Sequence, residues 1–286
     1  MLSKQWSEEL PIANIQNISA VAGGDVNQAY QVTTTDETYF LLRQPGRSAD
    51  FYQGEIAGLK ALEKAGITAP RVIASGQIGG DAYLLMTFLE QGSGQQSDLG
   101  RLVADMHQHY SPNGKFGFDK PSTGSDLIFD NHWCDSWREL FVEKRMDVLA
   151  DELLRKKLWH KKEEEQYQKV REVMNEQLNQ HQSKPSLLHG DLWGGNHMFL
   201  RDGTPALFDP DALYGDREFD LGMSLVFNAF NEEFYRAYQK AYPLAPGYEK
   251  RLKFYSLYLL LVHVNKFGSI YAGGANRTMS EILNDA

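Results

Sequence analysis

The segment Leu188-His189-Gly190-Asp191-Leu192-Trp193-Gly194-Gly195-Asn196, followed by Leu207-Phe208-Asp209-Pro210, leaves this chain few folds to choose from. Asp191 and Asn196 stand five positions apart. Asp209 ends Pro205-Ala206-Leu207-Phe208, a short apolar run that reads as a strand delivering its last residue to a cleft. Between them, His197-Met198-Phe199-Leu200 and the turn Arg201-Asp202-Gly203-Thr204 complete a hairpin pattern. Taken singly, Asp and Asn among glycines are ordinary turn residues. As an ordered set they are what phosphoryl transfer requires: a carboxylate to orient an attacking hydroxyl and, with ATP, a carboxylate and an amide to hold magnesium against the phosphates. The separation of Asp191 from Asn196 is that of the base and the metal-binding Asn in the kinase signature H-R-D-L-x-x-x-N. His189 is expected to orient this loop rather than act as base.

Upstream, the pattern predicts a β-meander: Asn17 to Val21, Gln28 to Thr34, and Tyr39-Phe40-Leu41-Leu42 after the turn Asp36-Glu37. Helical periodicity follows from Ala49 to Lys64 through Phe51, Ile56, Leu59 and Leu62, with Ser48 as cap and Gly66 as stop. Arg71 to Ser75 and Ala82 to Phe88 add a hairpin, giving five strands. Composition changes abruptly at Gln91-Gly92-Ser93-Gly94-Gln95-Gln96-Ser97, and the remainder reads as mainly helical. The expectation is an α+β chain of two lobes, residues 1–89 and 90–286: a small five-stranded antiparallel lobe with one main helix, then a larger, mostly helical lobe. Gly23 and Gly24, joining the first two strands, could let backbone N–H groups approach phosphates, although two-glycine hairpins are commonly just turns. Asn27 either ties down that loop or approaches a phosphate. Met86-Thr87-Phe88-Leu89 would form a hinge, with the backbone of Thr87 and Leu89 reading adenine and Met86 flanking the ring.

The patterns H-G-D-L-W-x-G-N and D-P-x-x-x-Y-G-D-R-E-x-D-L resemble the fructosamine kinase family. Gly23 to Tyr30 resembles its nucleotide loop, and Asn131-His132-Trp133 with Trp137 resembles its central helical region. The resemblance runs from about Val21 to the C-terminal helices. It implies a protein-kinase-like fold and ATP- and Mg²⁺-dependent phosphorylation of the sugar part of ketosamines, the 3-hydroxyl being favoured. Asp191 would be the catalytic residue, with Asn196 and Asp209 as metal ligands. A small-molecule or protein-bound ketosamine would be the partner, and a monomer is expected. Trp193 could stack on the sugar or belong to the core. Asp216 and Arg217, with Glu218, would brace their loop or face substrate, and Asp220 would hold backbone amides of the catalytic loop.

One departure stands out. In kinase-like folds a third-strand lysine meets the phosphates and pairs with a glutamate on the next helix. Glu55 fits that glutamate, but counting back from it reaches Leu42. Arg43 lies next door, and it can replace the lysine only if a bulge or register shift turns it to the cleft. Two other readings stay open: a phosphotransferase acting on an aminoglycoside or choline-like alcohol, and a non-catalytic nucleotide-binding protein, which the missing lysine alone favours.

A net charge of −9 argues against nucleic-acid binding through a basic surface. The single cysteine, Cys134, cannot form an intrachain disulfide, and neither a leader pattern nor an apolar run of membrane-spanning length is present. The expectation is therefore a cytoplasmic protein without membrane attachment.

Overall fold

The computed structural model describes residues 2, 4–21, 27–122 and 127–284. Its chain divides into two compact units, Met1–Gly94 with Met198–Phe208, and Gln95–His197 with Asp209–Ala286. The first unit thus runs past residue 89 to Gly94 and includes most of the hairpin that the sequence reading assigned to the second lobe.

The first unit contains a short helix α1 (Lys4–Glu9), strands β1 (Ile15–Ala20), β2 (Gln28–Thr34) and β3 (Thr38–Gln44), and a 3₁₀ turn, Ala49–Tyr52, leading into α2 (Gln53–Lys64). Strands β4 (Val72–Ile78) and β5 (Asp81–Thr87) follow. They make one antiparallel sheet in the order β1-β2-β3-β5-β4. Helix α2 stops where Gly66 takes a φ of +73°, the left-handed conformation glycine adopts without a Cβ clash. The glycines Gly23 and Gly24 lie outside the described residues.

Alternation along the strands sorts the side chains onto two faces. Leu42 packs with Ala29, Tyr52, Leu59, Leu84 and Met86, on the face covered by α2. Leu41 packs with Trp6 of α1, Tyr30, Val32, Tyr83 and Leu85 on the other.

The second unit begins with α3 (Gln96–Met106) and continues with a π-helical segment, Glu139–Asp147, that runs into α4 (Val148–Arg155), and then α5 (Lys161–Gln180) and β6 (Ser186–Leu188). The hairpin β7 (His197–Phe199) and β8 (Pro205–Leu207) intervenes before β9 (Leu213–Gly215), α6 (Glu218–Leu225), α7 (Glu232–Ala241), α8 (Tyr248–Phe267) and α9 (Ala272–Asn284). Phe254, Leu257, Tyr258 and Leu261 of α8 are buried together, as their helical spacing predicts. They join an aromatic core in which Phe141 lies 4.9 Å from Tyr255 and 5.7 Å from Trp137. Burying each such ring contributes about 1.5–3 kcal/mol.

The charged run Lys156–Glu165 spans a break between helices: α4 ends at Arg155, Lys157 takes a φ of +59°, Trp159 is buried, and α5 starts afresh behind a capping box between His160 and Glu163. Tyr271 ends a 3₁₀ segment, and Ala272–Asn276 opens α9. One local expectation is corrected. Asn131–Trp133 is not helical, and only Trp137 enters the helix.

Candidate active site

Strands β6 and β9 pair antiparallel through Leu187↔Tyr214 and Leu188↔Leu213. The loop leaving β6 and the loop entering β9 therefore meet at one edge of the ribbon. At Gly190 the meeting is close: its φ is +81°, and a Cβ would lie 1.9 Å from the carbonyl oxygen of Asp211. Only glycine fits there.

Asp220, in the first turn of α6, is fully buried and holds the loop from beneath. Its carboxylate accepts the backbone N–H of His189 at 2.7 Å and of Gly190 at 2.9 Å. The Nε2 of His107 lies 3.1 Å from the same carboxylate, and the Nδ1 of His107 lies 2.8 Å from the hydroxyl of Tyr238. His189 Nδ1 accepts the backbone N–H of Asp191 at 3.3 Å, so this imidazole orients the loop.

The side-chain Nδ2 of Asn196 donates to both the carbonyl and the Oδ2 of Asp191, each at 2.9 Å. That fixes the carboxylate and leaves the Oδ1 of Asn196 as the amide's oxygen pole. Burial, reinforced by the charges of Asp209 and Asp211, pushes the Asp191 carboxyl up to about 7. Asp209 sits in the left-handed region with a φ of +56°. Although that residue is open to solvent, desolvation by neighbouring protein raises its carboxyl as well. Burial also raises Asp211, against a hydrogen bond from the Ser122 hydroxyl. The Asn196 amide oxygen and the Asp209 carboxylate are hard oxygen donors, the chemistry that suits magnesium.

Trp193 is exposed, and its ring covers Gly195, where a Cβ would come within 2.3 Å of it. It is not a core tryptophan. Asp216 and Arg217 are corrected as substrate candidates. Asp216 is buried: its Oδ2 lies 3.1 Å from His181 Nε2 and 3.0 Å from the Tyr255 hydroxyl, and its Oδ1 accepts the Glu218 N–H at 3.0 Å. Burial alone would raise its pKa, but these bonds, led by His181, hold it below the ordinary value. Arg217 donates to the carbonyls of Tyr242, at 2.7 Å, and Pro243, and its guanidinium lies 3.6 Å over the Tyr242 ring. Glu218 is gripped by Arg251 through two bonds of 2.7 Å. All three brace the fold.

In the first unit, Arg43 is corrected too. The ladder from β2 through β3 to β5 runs without a bulge at Arg43, so it points to the face opposite Leu42. There it pairs with Asp81, donates to Gln28 at 2.7 Å, and lies 5.6 Å over the Trp6 ring. Leu42, which counting back from Glu55 puts where a kinase-like lysine is expected, lies on the α2 face. Glu55 stands in the first turn of α2, half-buried. Asn27 Oδ1 accepts the Tyr52 hydroxyl at 3.1 Å, which ties down the end of its loop. Met86 is buried in the sheet and Leu89 is half-buried beyond it. The backbone N–H of Thr87 is not open to a base, because it goes to the Arg71 carbonyl at 2.9 Å.

Sequence reasoning missed His107 and Asp211. His107 falls on α3 among apolar residues and carries no motif. Asp211 was legible only as the second acid in Asp209-Pro210-Asp211.

The sheet unit followed by a helical unit carrying an Asp-Asn loop and a following Asp loop defines a phosphotransferase of kinase-like fold. An aminoglycoside phosphotransferase solved with AMP-PNP and hygromycin B shares that fold at a TM-score of 0.67 and 13% identity, over 99% of this chain and 98% of the other. A family model described as fructosamine kinase matches residues 1–285, and the chain belongs to that family. A protein named probable ketoamine kinase in Staphylococcus aureus is 58% identical over 99% of both chains. A structure described as a fructosamine-3-kinase from Thermobifida fusca has a TM-score of 0.84 and 25% identity over 94% of both chains. Among the described residues no helix is long and apolar enough to cross a membrane.

Proposed function

We propose that the protein is an ATP-dependent ketosamine kinase in which Asp191 receives the proton of the sugar 3-hydroxyl. The observation that carries this reading is the double hydrogen bond from Asn196 to Asp191 on a loop anchored by Asp220, in a chain of the fructosamine kinase family. Asp191 is fixed in orientation and its pKa of about 7 suits a group that must accept a proton near neutral pH. As the hydroxyl oxygen bonds to the γ-phosphorus, the bond from that phosphorus to the ADP oxygen breaks and the hydroxyl proton passes to Asp191. The Oδ1 of Asn196 and the carboxylate of Asp209 would hold Mg²⁺, which supplies charge neutralisation at the phosphates.

In the first unit, Asn27, Glu55, Met86 and the backbone of Leu89 are the nucleotide-side candidates that remain, with the backbone of Thr87 able to offer only its carbonyl. A phosphate placed on C3 of a ketosamine sits on the carbon next to the C2 carbonyl, so once a C1 proton is lost to give the 1,2-enaminol it can leave as inorganic phosphate by elimination, and hydrolysis of the resulting imine releases the amine. Trp193, exposed beside Asp191, offers a flat face to the apolar side of the sugar.

The test is ATP consumption against a panel of ribulosamines, fructosamines, aminoglycosides and choline, with phosphorus NMR of the product. Phosphate at the 3-hydroxyl of a ketosamine is the expected outcome. Turnover of choline or an aminoglycoside alone would transfer the assignment to that class.

A further inference from the structure

His181 is the first residue beyond α5, and Asp216 and Glu218 stand at the turn from β9 into α6. Among the described residues, these three bring one donor atom each to within 4.8 Å of one another. His181 Nε2 lies 3.1 Å from Asp216 Oδ2 and 3.9 Å from Glu218 Oε1. Both carboxylates are buried and the imidazole is half-buried. Arg217, between the two acids, takes no part, because its guanidinium is turned to the Tyr242 and Pro243 carbonyls.

The charges at this place do not close. Two buried carboxylates carry two negative charges, and Arg251, through its two bonds of 2.7 Å to Glu218, supplies one positive charge. A buried charge without a partner is costly, so the second carboxylate calls for a cation. An imidazolium at His181 is one answer, and a metal ion held by all three donors is the other.

Two observations favour the ion. Bonds of about 2.0–2.2 Å to zinc set the donors of a tetrahedron about 3.3–3.6 Å apart, and the separations of 3.1 and 3.9 Å bracket that range. A hydrogen bond from an imidazolium accounts only for the shorter of the two. The second observation is Ser186. It lines, with His181, Asp216 and Glu218, a cavity of about 110 Å³. Ser186 is 1% exposed, and among the described residues its hydroxyl meets no hydrogen-bond partner. Buried hydroxyls are nearly always partnered, and a cavity of this size has room for an ion with bound water. Gln182 and Lys184, also on its lining, are exposed, which gives an ion a way in. Lys184 holds its ammonium over the Tyr110 ring, at 5.4 Å.

The acids are also supported from behind. The Tyr255 hydroxyl accepts the Trp137 Nε1–H at 3.0 Å and donates to Asp216 Oδ2 at 3.0 Å, while Arg251 grips Glu218. Outer partners of this kind fix carboxylate ligands in place.

We propose that His181, Asp216 and Glu218 form a zinc site apart from the catalytic loop, with a zinc-bound water in the fourth position as the partner of the Ser186 hydroxyl. An imidazole nitrogen beside two carboxylate oxygens suits zinc, whereas magnesium and calcium take oxygen donors. The ion ties the end of α5 to the start of α6, two residues before Asp220, the anchor of the catalytic loop. The inference goes beyond the kinase reading and stands without it.

The experiment is calorimetric titration of chelator-treated protein with Zn²⁺, in an Asp209→Ala background that removes a ligand from the proposed magnesium site. One equivalent should bind, and Zn²⁺ at about 100 times its Kd should raise Tm by about 5–10 °C. Adding His181→Gln, whose amide can still donate to Asp216 but is a poor zinc ligand, should weaken binding by more than about 100-fold, beyond the loss of an outer partner. Zinc that binds equally with and without His181 overturns the inference. Absence of zinc binding overturns it too, and makes His181 an imidazolium brace. Should the His181→Gln chain fail to fold, anomalous diffraction at the zinc edge from wild-type crystals soaked in Zn²⁺ decides the matter. A peak among the three donors is the expected result, and peaks only at Asp209 or on exposed side chains overturn the site.

Discussion

Asn196 donates one amide group to two oxygens of Asp191, the backbone carbonyl and the carboxylate, at 2.9 Å each. The loop is thereby closed on itself, and the residue proposed to hold the metal also sets the direction of the proposed base. Replacing Asp191 by Asn keeps the loop's shape and removes only the proton acceptor. Its kcat should fall by about 10²- to 10⁴-fold while ATP binding, followed by calorimetry, stays within a few-fold of wild type. A folded Asp191→Asn protein with wild-type turnover of a ketosamine would rule out the assignment.

The same substitution has a signature in stability. Asp191 is held at about 7 in the folded protein, above the ordinary 3.8, chiefly by burial. The folded state therefore binds the proton more tightly than the unfolded state, and the associated stability is present at low pH and is lost as pH rises through 7. Without metal or nucleotide, Asp191→Asn should melt above the wild type at pH 8, and the gap should shrink towards pH 5. A gap that does not change between those two pH values contradicts the burial argument.

Asp220 is the anchor beneath the loop. Asp220→Ala leaves the N–H groups of His189 and Gly190 without their partner in the interior, and an unsatisfied buried donor costs about 1–3 kcal/mol. A lower Tm and a reduced kcat should appear together, since losing the anchor frees the segment carrying the base. A variant that melts lower but turns over normally would mean the loop keeps its shape without this carboxylate.

Arg43 and Leu42 make opposite predictions. Because Arg43 is spent on Asp81 and Trp6, Arg43→Ala should lower Tm yet leave the KM for ATP within about twofold, the range of a distant surface charge. Leu42→Lys places an ammonium on the α2 face beside the helix that carries Glu55, and it should lower the KM for ATP if the buried chain is tolerated. An Arg43→Ala protein with severely weakened ATP binding and an unchanged Tm would restore Arg43 as a phosphate ligand.

The five strands, the helix after the third and the Asp-Asn-Asp loop pair were legible because each rests on a local signal: alternation, a 3.6-residue period, or chemistry at fixed spacing. What was not legible depends on tertiary context. The one-residue offset of Arg43 hung on whether β3 bulges, and the unbroken pairing that decides it belongs to β2 and β5. Asp216 and Arg217 read as braces or as ligands, with bracing the favoured role, and what decides it is His181, Tyr255 and Tyr242, all distant in sequence, closing around them. The π-helical stretch Glu139–Asp147 has the composition of any helix and leaves no sequence mark. His107 could not be told from an ordinary core histidine, because its meaning lies in Asp220 on another helix.

The two amides that Asp220 receives are sealed by a carboxylate with no solvent contact. Their deuterium uptake should thus be as slow as that of the α8 core rather than that of a loop, because exchange requires the whole second unit to open. Turnover should then be lost at the temperature where that unit melts cooperatively, with no earlier stage in which the protein is intact but the catalytic loop has slackened.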